Sequence, residues 1–180
     1  MARLKYLTAS DLPEPDREVL QGGSNVYRLM AHSPGASRAF DAFTTYIRTC
    51  STLDRRLQEL ALIQIGYSTK SKYEYSHHLK IGRSCGLSDA EIHAVARESR
   101  GESASLEPLV RTVLQSAREI VFDKAVSADT FAQLQKGLDE AQLVDLIMLM
   151  SSYVGLVRFM DSFALDTEPE YLPYLEEFPL

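Results

Sequence analysis

The sequence predicts an all-α fold, and three observations carry this prediction. Five of the seven prolines lie near the ends of the 180-residue chain, which leaves long central stretches without helix breakers. Within those stretches the apolar residues recur at three-and-four spacing, as in "LDRRLQELALIQI" over residues 53–65. Strand-like alternation and hairpin turns such as Asn-Gly are absent from the sequence. We therefore expect one domain built as a bundle of helices.

Local capping signals indicate where the helices begin and end. Pro34 marks a helix start, Gly86 a left-handed stop, and residues 88–91 read as a capping box. Ser127 and Asp139 are further N-cap candidates. The acidic, proline-punctuated tail "DTEPEYLPYLEEFPL" is expected to drape over the body or over a neighbouring subunit without forming a helix. The predicted helices cover residues 15–29, 35–49, 53–67, 72–84, 88–98, 106–122, 128–136 and 140–163.

Charge and composition argue against several functional classes. The net charge of −6 and the scattered basic residues do not suit nucleic acid, which requires clustered Lys and Arg. The start "MARLKYLTAS" lacks the apolar core and cleavage site of a signal peptide. The most apolar run, 143–157, contains Asp145 and is short for a bilayer, so we expect a buried helix and no membrane association. Cys50 and Cys85 are interpreted as packing cysteines of a cytoplasmic protein.

Four residues around "QELALIQIGYSTKSKYEYSHH" form the candidate site. Glu74 and His78 are four residues apart, so on a helix they share one face. Glu59 lies on the preceding helix and returns to that face if the two helices run antiparallel. Ser71 stands three residues before Glu74, at the start of its helix. Two carboxylates and an imidazole that meet in one place can carry out proton transfer.

Each of these residues also has an ordinary structural interpretation. Ser71 and Glu74 fit a capping box, in which the Glu74 side chain bonds back to the Ser71 backbone. Glu59, with its apolar neighbours, fits a buried carboxylate that ties two helices together and is costly unless it is paired. His78 alone fits a surface or core histidine. Its neighbour His77 points about 100° away on a helix, so the two cannot share an ion, and no metal site is predicted.

The spacing E-x(11)-S-x-x-E-x-x-x-H, followed by "IGRSCGLSDAEI", resembles the carboxymuconolactone decarboxylase/AhpD-like family. The pieces "NVYRLMAHSPG", "LDRRLQELALIQIG" and "YEYSHHLKIGRSCGLSDAEI" carry the resemblance together. It covers residues 25–100 well and 105–165 more loosely, with a tail at 166–180, so residues 1–180 are expected to form one domain of this type. The resemblance implies an AhpD-like helical bundle that assembles as a trimer or hexamer.

The resemblance implies two different chemistries for the two branches of the family. In the alkylhydroperoxidase branch the motif carries two redox cysteines, whose positions here are held by Ser71 and Glu74. Neither side chain can form a disulfide or a sulfenic acid, so antioxidant peroxidase activity through this motif is disfavoured. In the decarboxylase branch a Glu four residues before the His is typical. That match implies a cofactor-free acid/base enzyme that decarboxylates or isomerises a small carboxylate or lactone.

The expected roles follow from this match. His78, oriented by Glu59, moves a proton to or from a carbon next to a carbonyl, with Glu74 as the second acid or base. Ser71, Lys72 and Tyr73 hold an anionic oxygen at the start of their helix, where negative charge is favoured. The partner is a small-molecule substrate, with neither cofactor nor metal. A non-catalytic helical oligomer, and a thiol enzyme that uses Cys50 or Cys85, remain as alternatives.

A weak internal echo also suggests a duplicated helical unit. "LDRRLQELALIQIGYSTKSKYEYSHH" aligns with "LDEAQLVDLIMLMSSYVGLVRFMDSF" after one insertion. In that alignment Met160 and Ala164 take the places of Glu74 and His78. Only the first half would then keep a site, which predicts one site per chain.

Overall fold

The computed structural model describes residues 2–180 and confirms the all-α prediction, since these residues are 70% helical and contain no strand. Seven of the eight predicted helices are present with their ends within two residues of the prediction. Ser88, Ser127 and Asp139 cap their helices through their side chains, as expected. The α-helices are α1 (Asn25–Met30), α2 (Pro34–Thr49), α3 (Arg55–Thr69), α4 (Lys72–Ser84), α5 (Asp89–Ser99), α6 (Pro108–Phe122), α7 (Ala128–Leu134), α8 (Glu140–Ser162) and α9 (Leu172–Glu177).

The two ends of the chain differ from the prediction. The single helix expected at 15–29 is two pieces, a 3-10 segment Glu14–Leu20 and the short α1. Gly23 separates them with a φ of +67°, a left-handed conformation that a helix cannot continue through. The tail, expected to be non-helical, forms a 3-10 turn at Pro169–Tyr171 and then α9. Pro169 and Pro173 stand in the first turns of these elements, where a missing N–H costs nothing.

Helix α3 is the centre of the fold. Ten consecutive residues, Leu57–Gly66, are buried, and the helix packs against α4, α5, α6 and α8. The first N–H groups of a helix have no partner within the helix and must find one elsewhere. Asp54 is that partner in α3, because it accepts hydrogen bonds from the N–H groups of Arg56 and Leu57. Polar side chains on α3 are therefore held inside the protein, where each requires a partner.

Helices α3 and α4 form an antiparallel pair, as the candidate site requires. The pair is joined by a short turn in which Lys70 is left-handed, with a φ of +57°. A Cβ placed on Gly66 would lie 2.7 Å from the backbone of Tyr75, so the helices touch at their backbones near this turn. Farther from the turn, a Cβ on Gly82 would lie 3.6 Å from the Glu59 Cβ. The side chains between these two crossings face each other.

Helix α8 is the one described helix that is long and apolar enough to cross a membrane by length and composition. Its 23 residues agree with the helix predicted over 140–163, of which the apolar run 143–157 is the central part. Half of its most apolar window is nevertheless buried inside the fold, against α3 and α6, which is the packing of a core helix. The segment that resembles α3 and α4 in sequence is the single continuous helix α8. The internal similarity therefore does not reproduce the hairpin and extends over one helix only.

Candidate functional site

The structure brings Glu59, Glu74 and His78 together between α3 and α4. The Nδ1 atom of His78 lies 2.6 Å from Glu59 Oε2, and its Nε2 atom lies 3.1 Å from Glu74 Oε1. All three are buried, with Glu59 at 0%, Glu74 at 2% and His78 at 7% exposure. The imidazole thus bridges two carboxylates through its two nitrogens, and we call these three residues the triad.

Arg55 extends the triad to four charged groups. Its Nη2 atom lies 2.7 Å from Glu59 Oε1, one helical turn away on α3, and its Nη1 donates to Gln58 Oε1 at 2.7 Å. Two cations and two carboxylates then alternate from Arg55 through Glu59 and His78 to Glu74. This balance of charge is what allows two carboxylates to lie inside the protein.

The structure decides between the two interpretations of Glu74. The Ser71 hydroxyl accepts a hydrogen bond from the Glu74 N–H at 3.3 Å, so Ser71 caps α4. The Glu74 side chain does not complete the box, because it turns toward His78. Glu74 Oε1 and Glu59 Oε1 accept no well-aligned hydrogen bond within the described residues, although a charged nitrogen lies beside each. A buried carboxylate oxygen in that state can accept a proton or a hydrogen bond from a bound molecule.

The two carboxylates set the protonation of His78. Burial lowers the pKa of its imidazole. The charges of Glu74 and Glu59 and their hydrogen bonds raise the pKa by more than burial lowers it, to about 10. His78 is therefore an imidazolium at neutral pH, with a proton on each ring nitrogen. It serves as a proton donor in the resting protein, and a base must come from the carboxylates.

The triad lies in the wall of a cavity of about 520 Å³. This volume falls within the roughly 300–1,000 Å³ of typical small-molecule sites. The wall is built from residues 21–27, which include the start of α1, and from α2, α3, α4, α8 and the tail, so six separate parts of the chain define it. Polar and aromatic side chains that line the cavity include Arg48 from α2, Arg55 and Glu59 from α3, Tyr73, Glu74, His77 and His78 from α4, Tyr153 from α8 and Tyr171 from the tail.

The predicted substrate-binding residues are only partly on this cavity. Ser71 and Lys72 do not line it, which corrects their assignment. The physical reason is helical geometry: the cavity faces the side of α4 that carries Glu74 and His78, whereas Ser71 caps the helix end and Lys72 is exposed on the opposite side. Tyr73 does line the cavity, but its hydroxyl donates to Glu168 Oε1 at 3.2 Å and accepts from the Val26 N–H at 3.2 Å.

His77 and the tail close one side of the cavity. The His77 ring is stacked between Tyr73, at 4.1 Å between centroids, and Tyr171, at 3.5 Å. Its Nε2 atom lies 2.9 Å from Glu168 Oε2. Glu168 also accepts from the Asn25 N–H at 2.6 Å, so the tail is bonded to both α1 and α4. The expectation that the tail drapes over the body is confirmed, and it contributes Tyr171 to the cavity.

The wall that faces the triad contains two polar groups that the sequence did not indicate. The Tyr153 ring meets the His78 ring edge-on at 5.4 Å. Burial raises the pKa of Tyr153, and the charges of Glu74 and Glu59 raise it further, so its hydroxyl keeps its proton. The second group is Arg48, near the end of α2.

The cysteines lie away from the site. Neither Cys50 nor Cys85 lines the cavity. Cys50 is exposed at the end of α2, so its interpretation as a packing cysteine was wrong, and Cys85 is half-buried. Among residues 2–180 no group of His, Cys, Asp and Glu side chains is arranged to hold a metal ion.

Comparisons with known proteins agree with this architecture. The model of the carboxymuconolactone decarboxylase family matches residues 34–119, which include the whole triad. No curated protein matches the chain significantly. This match and the AhpD-like fold of the solved structures support the carboxymuconolactone decarboxylase/AhpD-like assignment that the sequence indicated.

Solved structures share the fold over nearly the whole chain. A peroxidase-related protein from Ralstonia eutropha JMP134, described as an alkylhydroperoxidase AhpD core, has 19% identity and a TM-score of 0.78, with 94% of each chain covered. A peroxidase-related protein from Silicibacter sp. TM1040 has 18% identity and a TM-score of 0.79, covering 94% of this chain and 93% of that one. A cysteine variant of the debrominase Bmp8 in complex with 2,3,4-tribromopyrrole has 18% identity and a TM-score of 0.81, covering 98% and 99%.

Sequence reasoning missed Arg48, Arg55, Tyr153 and Tyr171. Arg55 had a usable signal, since an Arg four residues before a buried Glu is a helical ion pair. Arg48, Tyr153 and Tyr171 had none, because each reaches the cavity only through contacts between distant parts of the chain.

Proposed function

We propose that this protein is a cofactor-free acid/base enzyme that moves a proton at a carbon next to a carbonyl in a small carboxylate or lactone. Decarboxylation and double-bond isomerisation both belong to this class of reaction. One observation carries the proposal: both nitrogens of His78 lie against carboxylate oxygens, at 2.6 and 3.1 Å, in the wall of a cavity of small-molecule size.

In this scheme Glu74 acts on the substrate and His78 supplies it with protons. His78 has both nitrogens occupied by carboxylates, so it reaches a bound molecule through Glu74. Glu59 and Arg55 hold the imidazolium from behind. The sequence alone favours His78 as the group that meets the carbon, whereas in this proposal Glu74 meets the carbon and His78 is the relay.

The two reactions differ only in which bond to carbon breaks. In isomerisation Glu74 removes a proton, the C–H electron pair moves into the carbonyl to form an enolate, and Glu74 returns the proton to another carbon. In decarboxylation the C–C bond to a carboxylate breaks and its electron pair moves to the carbonyl oxygen. CO2 leaves, and a proton relayed from His78 through Glu74 goes to carbon. The protonated Tyr153 hydroxyl can donate to the developing oxyanion.

Thiol chemistry has less support from the residues of this chain. The structural relatives carry the names of peroxidase-related proteins and of a debrominase. Here Ser71 and Glu74 hold the two positions that are cysteines in the peroxidase motif, and both cysteines of the chain lie off the cavity. Alkylation of Cys50 and Cys85 with iodoacetamide should accordingly leave turnover unchanged.

The proposal is tested by solvent exchange. Small lactones and β,γ-unsaturated acids are incubated with the protein in deuterium oxide, and NMR follows deuterium entry into carbon and loss of CO2. The Glu74→Gln variant should be slower than wild type by about 10²–10⁴-fold, the usual contribution of a general acid or base. Glu102→Gln, which changes an exposed carboxylate in a surface ion pair, is the matched control and should match wild type.

An NMR titration of His78 tests the site without any substrate. We expect a wild-type pKa raised to about 10, and a decrease of one unit or more in both Glu59→Gln and Glu74→Gln, because each removes a charge that favours the imidazolium. A His78 pKa near ~6.5 in all three proteins would remove the coupled site and with it the proposal. The protein would then be a non-catalytic helical oligomer.

A further inference from the structure

Arg48 is the one arginine of the cavity wall with most of its hydrogen-bonding capacity free. Its Nη2 atom donates to Thr45 Oγ1 at 3.2 Å and lies 3.9 Å from Asp41 Oδ1. Its Nε and Nη1 atoms have no partner among residues 2–180. A guanidinium carries five N–H donors in a planar fork that fits a carboxylate with two parallel bonds.

The other cations of the cavity are already occupied. Arg55 is paired with Glu59 and Gln58. His78 lies between two carboxylates, and His77 lies against Glu168. These charges have acidic groups in direct contact, whereas Asp41 lies 3.9 Å from one nitrogen of Arg48. Arg48 is therefore the cation with nitrogens left to pair with the negative charge of a ligand.

Tyr153 provides a second free donor close to Arg48. No residue in the range 2–180 hydrogen-bonds to its hydroxyl, although its ring is buried beside His78. Arg48 and Tyr153 both line the cavity, so one bound molecule can reach both donors. A buried phenol of this kind usually has a partner, so its hydroxyl is available to a bound molecule.

We infer that Arg48 and Tyr153 form an anion subsite that binds a carboxylate group of the substrate on the wall facing the triad. The inference rests on the proposed function and adds to it the group by which the substrate is recognised. Arg48 pairs with the carboxylate through its free nitrogens, and the Tyr153 hydroxyl donates to the same group or to the neighbouring carbonyl.

The rest of this wall suits a flat, largely apolar body. Phe40, Leu149 and Leu156 line the cavity on the same side, and the Phe40 ring lies 6.4 Å from the Tyr153 ring. The subsite therefore favours small unsaturated or aromatic carboxylates over polyhydroxylated acids such as sugar acids. Benzoate has this character, and neutral benzamide has nearly the same shape without the charge.

The test compares the binding of benzoate and benzamide by calorimetry at neutral pH and low salt. Wild-type protein should bind benzoate at least about tenfold more tightly than benzamide. Arg48→Gln should abolish that preference, Arg48→Lys should restore part of it, and Tyr153→Phe should reduce it. Arg158→Gln is the matched control, because it removes an exposed positive charge of α8 that lies off the cavity, and it should bind as wild type does.

Each outcome decides the question. Equal binding of the two probes by wild type, no binding of benzoate, or an unchanged preference in Arg48→Gln would overturn the subsite. The Arg48 side chain is 40% exposed, and circular dichroism will show whether its variants are folded. The experiment involves no proton transfer to carbon, so its failure leaves the His78 titration standing. Conversely, a normal His78 pKa together with a charge preference that depends on Arg48 would support the subsite and contradict the proposed enzymatic function.

Discussion

The two walls of the cavity are built in different ways. The triad wall comes from α3 and α4, a helical hairpin whose three functional residues lie within 20 positions of one another. The facing wall takes Arg48 from α2 and Tyr153 from α8, two segments joined only by tertiary packing. The first wall is charged and internally paired, whereas the second presents donors with nitrogen and hydroxyl groups left free.

This difference suggests a division of work. A paired, buried network resists rearrangement, because removing any member leaves another charge unbalanced. Unpaired donors on a separately assembled wall can change without disturbing that network. We therefore expect the triad to determine the kind of reaction and the facing wall to determine which molecule undergoes it. Variants of the two walls should differ in the same way: substitutions on the triad wall should cost much free energy of unfolding, and substitutions on the facing wall should cost little.

The largest effect on stability is expected for Glu59→Ala. Glu59 is fully buried between Arg55 and His78, so its removal leaves two cations without their shared carboxylate. Breaking a buried ion pair in this way costs about 3–5 kcal/mol in the free energy of unfolding. Urea denaturation monitored by circular dichroism measures it, with unchanged m-values as the sign of an unchanged fold.

The matched control for this prediction is Glu102→Ala. Glu102 pairs with Arg100 at the surface, where an ion pair contributes little to stability. If both variants lose the same stability, Glu59 is not held in a charge network, and the triad wall has no special rigidity.

Most of the fold could be predicted from the sequence because its signals are local. Caps such as Ser88 and Asp139 and the three-and-four spacing fix helix ends within one turn. The errors fell where local signals conflict. Residues 15–29 have helical composition, but Gly23 takes a left-handed conformation. In the tail, prolines were interpreted as breakers, although Pro173 stands in the first turn of α9, where it is well tolerated.

The candidate site likewise has residues that local signals predict and residues that they do not. Glu74 and His78 meet through helical periodicity, and Glu59 joins them as soon as the hairpin is antiparallel, so the sequence predicted their meeting. It could not choose between a cap and a relay for Glu74, because both begin from the same S-x-x-E spacing. Lys72 was misplaced because the spacing does not tell which side of α4 faces the cavity. Tyr153 depends on how α8 packs against α3, which local patterns do not encode.

A pair of glycine variants gives the next largest contrast. Gly66→Ala puts a Cβ 2.7 Å from the Tyr75 backbone, so α3 and α4 must move apart and the triad with them. Such overpacking costs about 1–3 kcal/mol in the free energy of unfolding. Gly155→Ala on α8 meets nothing within 4 Å, so it should stabilise the protein by about 0.5–1 kcal/mol through helix propensity. Thermal denaturation of both variants measures the difference, and two changes of equal sign would contradict the close approach of α3 and α4.

The smallest effect is expected where the tail closes one side of the cavity. Tyr171 stacks on His77 at 3.5 Å with rings 13° from parallel, and Tyr171→Ala should lower the free energy of unfolding by about 0.5–1.5 kcal/mol, the usual worth of a ring pair. Leu172→Ala, at an exposed neighbouring position, is the control and should change little. A double-mutant cycle with His77→Ala isolates the stack, because only a direct contact makes the two losses less than additive. Full additivity would mean that the stack contributes nothing of its own, and that Tyr171 is free to leave the cavity wall when a ligand enters.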